Sequence, residues 1–572
     1  MSSSGDIRQR LSAIPHVLAD FLHSLPNDHP VQIALRTYAL SLSLALGPAF
    51  LPFAISAKAR RNGLAGLKTI LKRELGVSGF AFAMTAGVGG GTAIRMLWDM
   101  LATSAEPDVA SENKDTNHTW TKLWHWLSSL KDSQKTFISN MLSASVAISL
   151  FHSRNGRSSS SASSTTILPS IPPIPADTAQ RPRSGVKSSI TLDLTLLLLV
   201  RAMDSLIERA EKRNSPSPTE RDIERRKRRL RTRLDALVFW ACSARIMWCF
   251  FYEPERLPRS YNKWIMTLAN IDGRILTALR ALRSGAWSYK RHHSTQPDLL
   301  SSHARDLGYP SMWGDVAQLP AYGGKEASAA WKRLGVSGRA GVGGIPCELV
   351  HGSVTGGSCT ANTMIRGAEA FAEAFAIYLP VHFLPILLTR PRSLLHARSL
   401  LRTLLSVLRS ASFLSTFVSS IWAAVCLTRT LLLARLFPGV SHDVWDGPFG
   451  CTFAGSLVCG GSIWIEHGQR RGEIALYVLP RAIRACLPER WIRSGSRSVK
   501  YLERLTFMLS LSTILTAAIH QSESLRGLSR WTVAFVMNGP NAGFWKRKRE
   551  ETSTPPTPAE STPPSDTALP ES

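Results

Sequence analysis

The chain has 572 residues, a formal net charge of +27, 19% charged residues and 44% hydrophobic ones. A soluble nucleic-acid binder this basic would carry a polar, lysine-rich surface. Here the basic residues are mostly arginine and stand between apolar runs, which excludes that class and fits a membrane protein with basic loops. Eight cysteines over this length exclude a dense disulfide framework. Four of them, Cys242, Cys249, Cys426 and Cys459, lie in apolar segments and read as small hydrophobes. No secretory signal is expected in the polar start, and the Leu-Pro-Glu-Ser end is not a peroxisomal Ser-Lys-Leu address.

A polar segment (1–32) comes first. Apolar segments follow at 33–55, 77–101, 136–151, 189–207, 234–252, 370–388, 404–433, 449–465, 473–488 and 502–520. A spanning helix needs about 20 mostly apolar residues. A Ser/Pro-rich linker fills 153–188, and 209–233 is a charged, mostly basic run. The first membrane half is thus 33–265. A connecting region (266–368), Gly- and Ser-rich over 291–345, leads to the second half at 369–537. The tail 538–572, rich in Pro, Thr, Ser and Glu, is expected to be disordered. Asn117 opens a formal glycosylation sequon.

The two halves read as a duplication. "YALSLSLALGPAFLPF" (38–53) resembles "YLPVHFLPILL" (378–388), and "SGFAFAM" (78–84) resembles "ASFLSTF" (411–417). "DLTLLLLVRAM" (193–203) matches "EIALYVLPRAI" (473–483), and "LDALVFW" (234–240) matches "LERLTFM" (502–508). Loop charge then counts the crossings. If 189–207 crossed, the basic 209–233 run would face the acidic side, against the positive-inside tendency. Segments 189–207 and 473–488 are therefore expected to lie in the interface or re-enter. The expected fold is an all-α, polytopic membrane bundle: two homologous halves, each with four spans and one interfacial helix, in parallel orientation.

Few residues suggest chemistry. Cys347, His351 and Cys359 are soft ligands, but their C-x3-H-x7-C spacing fits no standard zinc finger. The preferred reading is a structural loop with free thiols. A Cys347–Cys359 disulfide comes next, and last a metal site completed by Cys451 or His382. Asp193 with Arg201, and Glu473 with Arg481, stand eight apart, slightly over two helical turns, so each pair shares one helix face. They line a transport path in one reading, or the arginines snorkel to anionic lipid, the preferred one. Glu373 and Arg95 read likewise. Gly87 and Gly91, with Gly455, Gly460 and Gly461, fit close helix packing rather than a nucleotide loop. Pro48, Pro52, Pro380 and Pro385 mark either helix breaks around a path or simple kinks. Arg226 to Arg233 lack aromatic interleaving and read as a lipid-headgroup contact, not a nucleic-acid site. No cofactor is implied.

Cys347, His351 and Ser358-Cys359, followed by "AEAFAIYLPVHFLP", resemble the cysteine motif of the transmembrane protein 135 family. "RSASFLSTF" (409–417), "RRGEIALYVLPRAI" (470–483) and "ERLPRSYNKWI" (255–265) resemble other stretches of it. The resemblance implies a polytopic protein of peroxisomes or mitochondria, concerned with lipid handling and organelle dynamics. That family is in turn similar to the inner-membrane preprotein translocase group, whose four-span bundles match the crossing count. In the animal members the cysteine motif is near the N-terminus, whereas here a whole half precedes it, so no N-terminal feature carries over. The family supplies no catalytic residue. The expected function is a non-enzymatic, multi-pass organelle protein in lipid or metabolite handling or organelle dynamics, with membrane lipids as partners and homo-oligomerisation open. A transporter with its path between the halves is the second reading, and a Cys/His-based enzyme or redox sensor the third.

Overall fold

The computed structural model describes residues 24–55, 64–77, 79–104, 129–157, 191–213, 221–389, 391–492 and 496–539. The sequon at Asn117, most of the Ser/Pro linker and most of the tail lie outside them. The described chain is almost wholly helical, and its strands are one two-stranded hairpin.

In chain order the first five long helices are α1 (Pro30–Ile55), α2 (Leu64–Leu75), α3 (Phe80–Ser104), α4 (Asp132–Arg157) and α5 (Leu192–Arg213). Then α6 (Arg221–Tyr252) joins the basic run directly to an apolar segment. The connecting region holds α7 (Arg259–Ala269), α8 (Gly273–Ser284), the hairpin β1 (Trp287–Ser288) and β2 (His293–Ser294), α9 (Asp298–Asp306), α10 (Lys325–Leu334) and α11 (Cys347–His351). The remainder is α12 (Cys359–Thr389), α13 (Ala397–Cys426), α14 (Leu433–Leu436), α15 (His442–Trp445), α16 (Cys451–Cys459), α17 (Gly468–Cys486), α18 (Glu489–Ile492), α19 (Arg497–His520) and α20 (Gly527–Asn538). A π-helical turn, Leu427–Leu431, follows α13.

Four stretches among the described residues are long and apolar enough to cross a membrane: Ile70–Leu101, Arg226–Tyr252, Ala397–Leu436 and Arg497–His520. Cys451–Ile465 is a shorter apolar helix. The expected spans 33–55, 136–151 and 370–388 are helical as α1, α4 and α12. On α19, Leu502, Leu505 and Leu509 face outward at helical spacing, as do Leu384 and Leu387 on α12. Outward leucine rows of this kind suit a lipid solvent. α12 runs unbroken through Pro380 and Pro385.

Packing divides the long helices into two groups. α1 lies on α3, α3 on α4, and α4 and α5 on α19. Ile33, Phe80, Ala147, Leu194 and Phe507 share this core. In the other group α12 lies on α13, α13 on α16, and α16 and α17 on α6. Its core contains Phe239, Ala374, Phe413, Cys459 and Val478. α6 thus docks among helices that follow it in the chain, and α19 among helices that precede it. Polar caps secure both: Tyr252 donates to the Gly447 carbonyl at 2.9 Å, and His520 meets Thr136 at 3.0 Å. α5 touches α17 between the groups.

The expected packing glycines sit at close approaches. A side chain on Gly87 would meet Ala147 at 3.0 Å, and one on Gly455 would meet Ile421 at 3.2 Å. One on Gly91 would run into Asn140, and one on Gly460 into the Trp240 ring.

The connecting region folds around its own small core of Trp287, Tyr289, Leu300, Leu319 and Trp331. Its helices are too short for an apolar period to show in the sequence, which is why 291–345 looks featureless there.

Candidate functional site

Cys347 and His351 lie one helical turn apart on α11, which starts after Pro346. Cys359 opens α12, and Cys426 closes α13. The fold brings all four together. The Cys347 and Cys359 sulfurs are 3.9 Å apart, and the ligand atoms of Cys347, His351 and Cys359 all lie within 4.8 Å of one another. The Cys426 sulfur is 3.7 Å from His351 Nε2 and also meets the Cys359 thiol. Every member is buried, His351 completely.

The expected fourth partners are elsewhere. Cys451 faces Asp446 at 3.8 Å, and His382 faces Arg470 at 3.3 Å. Cys426 takes that place because α13 runs back along α12, so its last residue returns to the level of the Cys359 end. In sequence Cys426 was indistinguishable from a small core residue. The Cys347–Cys359 disulfide, the second of the three readings, is not formed: all eight cysteines are free thiols.

Three features fix the state of this cluster. His351 Nδ1 lies 2.7 Å from the Gly356 carbonyl. A carbonyl only accepts, so Nδ1 carries the proton and Nε2 presents its lone pair to the sulfurs. Burial pushes the His351 pKa down and favours the neutral ring. The contact with Cys359 and burial push the Cys347 thiol up to about 11. Cys347 lowers the Cys359 pKa by hydrogen bonding, but the Cys426 contact and burial outweigh this and push it up to about 11. Buried thiols held protonated are poor nucleophiles.

Two buried arginines flank the cluster. Arg339, 1% exposed, donates to the Cys347 sulfur at 3.0 Å, to Thr430 Oγ1 at 3.3 Å and to the Gly343 carbonyl. Among the described residues no carboxylate lies within ion-pair distance of it. Arg429, in the π-turn just after Cys426, pairs with Asp446 at 2.8 Å. Burial alone would push the Asp446 carboxyl up, but Arg429 and His442 hold it well below its usual range.

The expected acid–arginine set forms a separate seam where α5 meets α17. Arg201 pairs with Glu473 at 3.1 Å, and Asp193 with Arg484 at 2.8 Å. These pairings run the two helices antiparallel. Arg481 is not part of the seam: it stacks 3.9 Å from the Tyr477 ring and 5.3 Å from Tyr261. Arg484, one turn further on, replaces it. Arg95 pairs with Asp99 at 2.9 Å and with Asp132 at 3.0 Å, while Glu373 is exposed on α12. From the basic run, Arg231 turns back to Glu208 at 2.6 Å and Glu211 at 2.7 Å, while Arg226, Lys227, Arg228 and Arg229 stay exposed.

Residues 347–486 match the family model of the N-terminal cysteine-rich region of Transmembrane protein 135. The matched segment contains all four residues of the cluster and the α17 side of the seam. No curated protein and no solved structure matches the chain. This resemblance and the apolar helices make the chain a membrane protein similar, over that segment, to the transmembrane protein 135 family.

Proposed function

We propose that this chain is a multi-pass protein of an organelle membrane, peroxisomal or mitochondrial, that takes part in lipid or metabolite handling or in organelle dynamics without catalysing a reaction itself. Its two homologous halves, of four spans and one surface helix each, form a single bundle by exchanging their last helices. One observation carries this architecture: each helix group is completed by the last long helix of the other half, α6 in one and α19 in the other. The sequence match of 234–240 with 502–508 equates Phe239 with Phe507. Both are buried in the opposite group, Phe239 against Phe413 at 5.6 Å and Phe507 against Phe151 at 6.2 Å. The same matching equates Asp235 with Glu503. Glu503 accepts from Thr191 beside the start of α5, and Asp235 lies against Gly472 near the start of α17. Membrane lipids are the partners, with the exposed Arg226–Arg229 row placed for anionic headgroups.

Reporter cysteines test the topology in isolated organelles. The expected result puts 209–233, 389–410 and 489–501 on one face and 102–135 on the other. Finding 209–233 with 102–135 would make α5 and α17 spanning and the repeat inverted.

The seam favours one second reading, a transporter. Charged pairs inside a bundle are rare without a role in a pathway. Flux of labelled lipid or solute through reconstituted vesicles decides between the two. Loss of flux in Arg201→Gln, with insertion intact, favours transport; no flux in the unaltered chain favours the first reading.

A further inference from the structure

We propose that Cys347, His351, Cys359 and Cys426 form a closed tetrahedral site for a structural zinc ion, a role beyond the membrane function above. Zn–S bonds of ~2.3 Å and a Zn–N bond of ~2.0 Å place tetrahedral ligands about 3.8 Å apart for two sulfurs and about 3.5 Å for sulfur and nitrogen. The Cys347–Cys359 edge is 3.9 Å and the Cys426–His351 edge 3.7 Å. Sulfurs joined in a disulfide would be about 2.05 Å apart.

The surroundings fit an ion as well as the edges do. A metal-binding histidine commonly donates its other ring N–H to a backbone carbonyl, which fixes the tautomer and aims the free nitrogen at the metal. His351 does this through Gly356. Charge fits too. A zinc ion with three thiolates and a neutral imidazole carries a single net negative charge. Arg339 is a buried cation that donates to the Cys347 sulfur and has no carboxylate within ion-pair distance among the described residues. Buried charges require partners, and the thiolate centre provides one. Three sulfurs and one nitrogen select zinc over the hard cations magnesium and calcium. Binding releases three thiol protons to solvent, with no redox change. All four positions are filled by the protein, as in structural rather than catalytic zinc sites.

The ion would tie the end of the connecting region and the start of α12, which are neighbours in sequence, to the distant end of α13. The Arg366 guanidinium already bridges two of them, donating to the His351 carbonyl at 2.9 Å from its place on α12.

The test is metal analysis of the full chain, purified in detergent through a tag that contains no histidine. The expected result is about one zinc per chain. Cys426→Ser and His351→Ala should each lose it, a larger effect than the roughly 10–100-fold weakening that second-shell changes cause. Cys451→Ser and Cys459→Ser should keep it. Should the ligand variants misfold, the unaltered chain still decides. Cobalt loaded in place of zinc should show a thiolate charge-transfer band and tetrahedral d–d absorption, and a thiol-blocking mercurial should release the zinc. Zinc-free chain, zinc that survives Cys426→Ser in folded protein, cobalt spectra without thiolate bands, or a Cys347–Cys359 disulfide in an unreduced digest would each overturn the proposal.

Discussion

Asp446→Asn is a sharp test of how the π-turn beside the cysteine cluster is held. Asp446 and Arg429 each have side chains only 4% exposed. The carboxylate takes two hydrogen bonds from Arg429, at 2.8 and 3.2 Å, and one from the Tyr289 hydroxyl at 2.9 Å. Asparagine keeps the shape and removes the charge. Arg429 then keeps only neutral partners such as the Ile345 carbonyl, at 3.0 Å. Breaking a buried pair from one side typically costs about 3–5 kcal/mol, because the surviving charge is left uncompensated. The double change Arg429→Met with Asp446→Leu removes both charges together. What remains is the Tyr289 hydroxyl without its acceptor, about 1–3 kcal/mol. The double variant should therefore be more stable than Asp446→Asn. Unfolding in detergent, followed by tryptophan fluorescence, compares both variants with the unaltered chain. An Asp446→Asn protein within about 1 kcal/mol of the unaltered chain, or a double variant less stable than the single, would refute the reasoning.

At the seam, Arg201→Glu should weaken the α5–α17 contact, and adding Glu473→Arg should restore part of the loss. Because the pair is partly exposed, a coupling energy of about 0.5–2 kcal/mol is expected. Leucine at Gly460 must displace the Trp240 ring, so Gly460→Leu should destabilise by about 1–3 kcal/mol or more and loosen α6, read as faster proteolysis between the halves. The Asp272 carboxyl is held well below its usual range, first by the His303 ring 3.3 Å away and then, against the opposing effect of burial, by Arg274. Its folded pKa lies below its unfolded value, so its contribution is complete above about pH 4 and disappears as pH falls further. Hydrogen exchange at the start of α8 should accelerate in that acid window, and Asp272→Asn should remove the pH dependence.

The all-helical membrane class was legible because about 20 apolar residues between arginine-rich loops have few other uses. Which helices would pack together was not. Periodicity reports which face of a helix is apolar, not which helix covers it, so the exchange of α6 and α19 left no trace in either segment. The cysteine cluster was legible in part. Cys347, His351 and Cys359 are close in sequence, and local geometry alone brings them near. Cys426 comes from the far end of α13, 67 residues after Cys359, and only the α12–α13 hairpin returns it. The one hint was chemical: Arg429 and Thr430, polar residues just after Cys426, interrupt an apolar run. Arg484 was missed for a similar reason. Spacing of eight picked out Arg481, but the antiparallel contact with α5 favours the arginine one turn on.

The exchange and the cluster constrain the same helices from opposite ends. α6 can reach α16 and α17 only after the second half exists, so the second group cannot close its core from its own segments alone: Phe239 stands among Phe413 and Phe417. Its α12–α13 pair is the exception, because a short connection joins those helices and Ser415 donates to the Gly367 carbonyl at 2.7 Å between them. That hairpin is the natural first element to form, since its contacts have low sequence separation. Cys359 and Cys426 sit at its open end, beside the connecting region that carries Cys347 and His351. Closing the four-residue cluster there would dock the connecting region onto the hairpin. That region also holds the end of α6, because Arg280 and Arg283 on α8 donate to the Phe250, Phe251 and Tyr252 carbonyls, so the cluster and the exchanged helix are tied through one segment.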